Sequence, residues 1–136
     1  MKIWQKRKLK KPLKKAAAAN VVSKTFFWTK HAEEKMRFYR LSKQRVRRVL
    51  NSPKRIEEGI APNTLAMMQP ASVRTAAGKP AWSQEIWVMI QKKRQDTIKI
   101  ISAWRYPGRT KPKDEITFNI IQQEYANYLA GDNFKD

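Results

Sequence analysis

Two neighbouring runs, Trp82 to Gln91 and Thr97 to Arg105, constrain this chain more than any other feature in it. Both are rich in Ile, Val, Trp and Thr, and the polar stretch Lys92-Lys93-Arg94-Gln95-Asp96 between them reads as a turn. Together they predict a β-hairpin. In the first arm Ile86, Val88 and Ile90 share one face while Trp87 and Met89 take the other. In the second, Ile98, Ile100, Ser102 and Trp104 alternate with Thr97, Lys99, Ile101, Ala103 and Arg105. Apolar residues on both faces make these central strands, so the rest of the chain has to cover them.

Helical patterns on either side supply candidates for that cover. Thr29 is placed to cap a helix whose first turn holds Glu33 and Glu34, where the positive helix end favours acids. Ala32, Met36 and Tyr39 then form an inward stripe. Ser42 can cap a second helix carrying Val46, Val49 and Leu50, and Asn51-Ser52-Pro53 ends it, since the residue before a proline leaves the helical region. After Asp114, the spacing of Ile116, Ile120, Ile121, Tyr125, Tyr128 and Leu129 predicts a C-terminal helix, with Gly131 suited to the position just past its end. Between Pro53 and Trp82 the signals weaken. Arg55 to Gly59 reads as a short strand, with weak strands at Thr64 to Gln69 and Ser72 to Ala76 and a turn at Gly78-Lys79-Pro80. The expected fold is α+β: an N-terminal helical hairpin packed on a small antiparallel β-sheet, with a basic N-terminal arm and a C-terminal helix. Three segments follow, a basic flexible arm over 1–20, the α+β domain over 21–110 and a helical extension over 111–136.

Charge decides the class of partner. Thirty Lys and Arg face eleven Asp and Glu, a formal +19 in 136 residues. Self-repulsion on that scale opposes compaction, and an anionic partner relieves it. A phosphodiester chain is the best fit, because each neutralised phosphate releases condensed counterions. An anionic membrane surface is the weaker alternative. The charge is unevenly spread. Met1 to Lys15 holds Lys2, Lys6, Arg7, Lys8, Lys10, Lys11, Lys14 and Lys15 without an acid, as an interaction arm would. The two helices carry Arg37, Arg40, Lys43, Arg45, Arg47 and Arg48, again with no acid among them. Like charges at helical spacing destabilise one another, so an unmixed face reads as a phosphate-contact surface. Arg109 to Lys113 adds a basic connector.

Several chemistries are excluded or unsupported. The chain has no cysteine and one histidine, His31, so disulfides, thiolate nucleophiles and His or Cys metal clusters are not available. No phosphate-binding glycine loop, dinucleotide loop or nucleophile elbow is present, and no cofactor is expected. No apolar run reaches the roughly 18 residues of a membrane span, and the basic N-terminus lacks a hydrophobic signal core. The expectation is a cytoplasmic protein without membrane partners. What remains is a basic and aromatic set comprising His31, Arg37, Arg40, Lys54, Trp104, Arg105, Tyr106 and Arg109. Metal-independent RNA cleavage needs a base, an acid and a cation for the developing phosphorane charge. His31 is the natural proton carrier and Arg40 and Arg105 are the candidate clamps. Trp104 and Tyr106 could stack unpaired bases, as aromatics do in single-strand binders. Packing or capping roles are the bland readings of His31, Trp104 and Tyr106. Glu85, at the start of a central strand, is a further residue of interest.

The run Trp28-Thr29-Lys30-His31-Ala32-Glu33-Glu34-Lys35-Met36, followed by Arg40-Leu41-Ser42 and by Val46 through Pro53, resembles a family of small bacterial proteins similar to BrnT and the RelE/ParE-type toxin superfamily. The strand Ile98-Lys99-Ile100-Ile101-Ser102-Ala103-Trp104-Arg105 resembles the last strand of BrnT-like proteins, where Ile-Ile-Ser-Ala-Arg is usual. Here Trp104 precedes Arg105, which by simple alternation moves the arginine to the opposite face. The resemblance covers about Phe27 to Arg105. It implies two helices on a small antiparallel sheet, metal-independent mRNA cleavage (free or on the ribosome) and an acidic antitoxin partner. Fold carries over through such a resemblance better than function does. The alternatives are a non-catalytic accessory protein on ribosomal or other structured RNA, and a ParE-like toxin acting on a protein target.

Overall fold

The computed structural model describes residues 25–94 and 96–135. The basic arm over 1–20, with Lys6, Arg7, Lys8, Lys10 and Lys11, lies outside the described residues. Strand β1 (Thr25–Trp28) leads into helix α1 (Lys30–Tyr39) and helix α2 (Lys43–Asn51). Strands β2 (Arg55–Glu58), β3 (Thr64–Pro70), β4 (Arg74–Ala76), β5 (Lys79–Ala81), β6 (Glu85–Arg94) and β7 (Thr97–Tyr106) follow, and helix α3 (Glu115–Lys135) closes the order. The fold is α+β, with a five-stranded sheet in the order β1-β7-β6-β3-β2 and a separate two-stranded ribbon, β4-β5.

The sheet is mixed, where an antiparallel one was expected. β1 joins it parallel to β7, Thr25 opposite Thr97 and Trp28 opposite Ile100. Thr25-Phe26-Phe27-Trp28 consists of strand-favouring residues, but nothing local sets its partner or direction. Its partner lies about seventy residues away and becomes available only once the β6-β7 hairpin exists. The remaining pairs are antiparallel.

Both faces of the sheet are covered, as the two-sided hairpin pattern requires. On one face Ala32 and Met36 of α1 and Val46, Val49 and Leu50 of α2 pack against Met67, Ile86, Val88, Ile90, Ile98, Ile100 and Ala103. On the other, Ile121 and Tyr128 of α3 pack against Ala66, Met68, Trp87, Met89, Ile101 and Trp104, with Trp82 beside them. The buried residues of α3 include Thr117, Ile121, Glu124 and Tyr128, one stripe at helical spacing. Helix α3 continues through Gly131 instead of ending before it, and Asp114 starts it by accepting from the Ile116 N–H at 3.0 Å.

Strand β7 does not alternate evenly. Met89 pairs with Ser102 and Ile90 with Ile100, so Ile101 is an extra residue in the ladder, a β-bulge. Ile98 and Ile100 face α1 and α2, whereas Ser102 and Trp104 face α3, which corrects the expectation that all four share a face. The bulge also brings Ala103 and Arg105 round to the face of Ile98 and Ile100.

One residue joins the bulge to the first helix. The Thr29 Oγ1 accepts from the Ala32 N–H at 3.0 Å, capping α1, and donates to the carbonyls of Ile100 at 2.8 Å and Ile101 at 3.2 Å. Beyond Thr29 the chain stops pairing with β7 and runs beside it as a helix until Arg105 Nε donates to the Tyr39 carbonyl at 2.9 Å. A short edge strand that gives way to a covering helix leaves little open ladder for unwanted pairing. Thr29→Val removes the cap and the hydroxyl donor to the Ile101 carbonyl, while the Ile100 carbonyl keeps the backbone N–H of residue 29 at 3.2 Å, and it should cost about 1–3 kcal/mol in urea denaturation. Thr29→Ser, which keeps the hydroxyl, should recover most of that loss.

Candidate nucleic-acid interface

At one end of the sheet β3 finishes, β6 begins and β7 finishes, with Pro70 opposite Glu85 and Glu85 opposite Tyr106. Cations from four separate elements collect here. Arg45, on the first turn of α2, donates to Gln69 Oε1 at 2.5 Å and to the Pro70 carbonyl at 3.2 Å. Arg48, one turn on, and Arg105, from β7, lie close enough to act electrostatically on Arg45. Burial first, and then these two like charges, push the Arg45 guanidinium down from its ordinary value. No carboxylate forms a salt bridge with Arg45, Arg48 or Arg105 among the described residues. Arg40 follows Tyr39, whose carbonyl holds Arg105, and caps α1 in the left-handed conformation with its side chain exposed. Arg37, in the last turn of α1, is exposed as well.

Trp82 extends the cationic end toward β2. The Arg109 guanidinium sits 3.7 Å from its ring centroid and Lys54 Nζ 5.5 Å from it. Cation–π contacts of this kind hold charged groups in place without neutralising them. Tyr106 is partly buried and packs against the Trp87-Trp104 side of the core.

The acid at this end is consumed internally. Glu85 is fully buried. Its Oε2 accepts from Trp82 Nε1 at 2.9 Å and the Thr110 N–H at 3.0 Å, while Oε1 accepts from Trp87 Nε1 at 3.0 Å and Thr110 Oγ1 at 2.7 Å. Four donors fill the acceptor sites of one carboxylate, which makes its burial tolerable. Arg55 ties the same connector down through Thr110 Oγ1 at 2.6 Å and the Thr110 carbonyl at 3.1 Å, and pairs with Glu57 at 3.1 Å. Glu85 thus anchors the segment that carries Arg109. Glu85→Gln turns an acceptor into a donor facing four donors, and should cost about 2–3 kcal/mol by chemical denaturation, with a changed tryptophan near-ultraviolet signal.

The remaining site residues of the sequence reading fall elsewhere. Lys43 and Arg47 lie over the aromatic side chains of β1: Lys43 Nζ is 5.1 Å from the Trp28 ring, and Arg47 is 5.8 Å from Phe26 and 5.6 Å from Trp28. Lys43 also approaches Glu33 to 3.8 Å, so the helical cations form two groups, not one unmixed face. Trp104 is buried and stacked on Trp87, with centroids 6.0 Å apart and planes 4° from parallel, so no base can stack on it. Of the two expectations for Trp104, packing and stacking, the structure shows packing, on the face that the bulge selects.

His31 is placed apart from both clamps. It sits in the first turn of α1, nine residues from Arg40, which is ~14 Å along a helix axis. Its ring packs on Tyr128 of α3, with centroids 6.3 Å apart. Its Nε2 is buried without a hydrogen-bond partner and lies 3.6 Å from Glu124 Oε1. That carboxylate belongs to another network: it accepts from Ser102 Oγ at 2.6 Å and from Lys35 Nζ at 2.7 Å. Burial works against its ionisation, but the neighbouring His31, Lys35 and Ser102 outweigh it and hold Glu124 below the usual carboxylate range.

The sign of the pH dependence follows. A carboxyl depressed in the folded state stabilises it fully above the unfolded value and loses that contribution as pH falls through the folded one. The clamp of α3 onto α1 and β7 should therefore weaken below about pH 4.5. In acid titrations followed by circular dichroism, Glu124→Gln should be less stable than wild type at neutral pH and show a shallower acid loss.

Among the described residues no group of three or more His, Cys, Asp or Glu side chains could hold a metal ion, and no helix is long and apolar enough to cross a membrane. Comparison with protein-family models, with curated proteins and with solved structures found no match to this chain.

Proposed function

We propose that this chain is an RNA-binding protein that seats a phosphodiester backbone on the cationic end of its sheet. The observation that carries the reading is Arg45. It is partly buried, held in place by Gln69 and Pro70, and pressed by Arg48 and Arg105, with no salt bridge to a carboxylate among the described residues. Folding spends free energy to gather these like charges, and a bound phosphate returns it. The overall charge of +19 supports the same class of partner, as does the motif likeness to BrnT and the RelE/ParE-type superfamily.

Binding without cleavage is the preferred form of the proposal. A His31-centred mechanism needs the proton carrier beside the clamps, and His31 stands at the opposite end of α1 from Arg40 and Arg105, against Glu124 and Tyr128. A structured RNA should bind the protein with an affinity that drops at least tenfold between about 50 and 200 mM salt. Arg45→Gln combined with Arg48→Gln should lower the slope of log K against log salt by about one to two units. The RNA should emerge intact. Cleavage by wild type that His31→Ala abolishes would restore the nuclease reading, and salt-independent binding would remove the phosphate one.

A further inference from the structure

The ribbon β4-β5 stands outside both cores. No residue from Arg74 to Ala81 belongs to either buried cluster, and Arg74 through Pro80 are all exposed. Its turn, Ala77-Gly78, has positive φ at both positions, 52° and 78°. That is the geometry of the tight primed turn that matches strand twist, and it corrects the expected turn at Gly78-Lys79-Pro80. Exposed chain of this composition, with five Ala, Gly or Pro among its eight residues, has no packing reason to be a ribbon at all.

Its root is firmly held. The Ala71 N–H donates to the Gln84 carbonyl at 3.0 Å, closing the base, and Arg109 Nη1 reaches the Pro80 carbonyl at 3.4 Å while stacking on Trp82. The ribbon leaves the sheet where β3 ends and β6 begins, which is the cationic end. Its own register pairs Arg74 with Ala81 and Ala76 with Lys79. Directly opposed residues share a face, so Arg74 and Lys79 lie diagonally on one side, roughly 7–8 Å apart. Thr75 and Pro80 form the other side.

We infer that this ribbon is a backbone-tracking finger for double-helical RNA, laid along the phosphates that border the wide, shallow groove. The inference rests on the proposed RNA-binding reading and names its substrate class. Three observations converge on it. The two indoles at the cationic end are occupied, Trp104 by Trp87 and Trp82 by Arg109 and Lys54, so neither is free to stack an unpaired base. The tip Thr75-Ala76-Ala77-Gly78 carries none of the Arg, Asn or Gln forks that read base edges in the major groove of DNA. A slim element with two cations on one face suits recognition by shape and phosphate spacing, which is how A-form duplexes are bound.

The test uses the full chain and three probes: an RNA stem of about 20 base pairs, an RNA single strand of equal length without self-pairing, and a DNA duplex of the stem's sequence. Anisotropy is measured at one fixed salt concentration. Wild type should prefer the RNA stem to the single strand by about tenfold or more, which is at least 1.4 kcal/mol. Arg74→Gln combined with Lys79→Gln should erase most of that preference while leaving single-strand affinity unchanged. Both side chains are exposed, and an unaltered denaturation curve checks the fold. Unchanged stem affinity in this variant, or equal loss on both RNAs, overturns the finger. Equal binding of the DNA duplex overturns the assignment to RNA. If Arg45→Gln with Arg48→Gln weakens all binding while the ribbon variant does nothing, the finger fails and the RNA-binding reading survives. If wild type binds none of the probes, both fall.

Discussion

The hydroxyl of Thr29 fixes more of this molecule than any other single group. It closes the first helix from one side and meets the irregularity in β7 from the other, sharing its proton between the successive carbonyls of Ile100 and Ile101. The bulge displaces everything beyond Ile101 by one position. Ser102 turns to meet Glu124, Trp104 turns into the core against Trp87, and Arg105 turns toward Tyr39 and Arg45. An uninterrupted strand would have put Arg105 on the face of α3, away from the other arginines. The composition of the cationic end therefore depends on the bulge at Ile101.

A second constraint explains why that end stays positive. Proteins with exposed arginines commonly neutralise them with nearby carboxylates. Here Glu85 and Glu57 are close, but both are spent on internal work: Glu85 on two indoles and Thr110, Glu57 on Arg55 and the Lys113 N–H. Their negative charge organises the connector from Tyr106 to Asp114 and presents Arg109 on Trp82. The arrangement keeps these acids where they hold structure and leaves Arg45, Arg48 and Arg105 without a salt bridge among the described residues. Across the sheet the Lys35-Glu124-Ser102 network acts in the same structural sense, clamping α3 over a face that would otherwise expose Trp87, Met89 and Ile101.

Much of this was legible in the residues. The caps at Thr29 and Ser42, the stripes Ala32-Met36 and Val46-Val49-Leu50, and the two-sided arms of the β6-β7 hairpin are local patterns, and local patterns survive translation into structure. The arginines of the cationic end were also visible, but as part of a wider set. Lys43 and Arg47 belong to the β1 aromatic side chains, and only Arg45 and Arg48 of the α2 cations join Arg105. The role of Trp82 escaped notice because nothing in the order of residues links it to Lys54 or to Arg109. The ribbon was legible in part, as a weak strand at Ser72 to Ala76 and a nearby turn, but its return strand Lys79–Ala81 was read as turn because Gly and Pro carry weak strand signals.

The amino-acid order by itself determined the class of fold, the existence of the main hairpin, the two inward helical stripes and the strongly positive net charge. These depend on periodicity and net charge, which are properties of neighbouring residues and of sums. Tertiary structure alone decided that β1 enters parallel to β7, that a bulge at Ile101 reverses the facing of Trp104 and Arg105, and that His31 is separated from the arginines it was expected to serve. Each of these turns on contacts between residues far apart in the chain, such as Thr25 with Thr97, Thr29 with Ile100 or His31 with Glu124. A one-residue slip in a strand costs little locally yet exchanges its two faces, so only the packed whole can settle it.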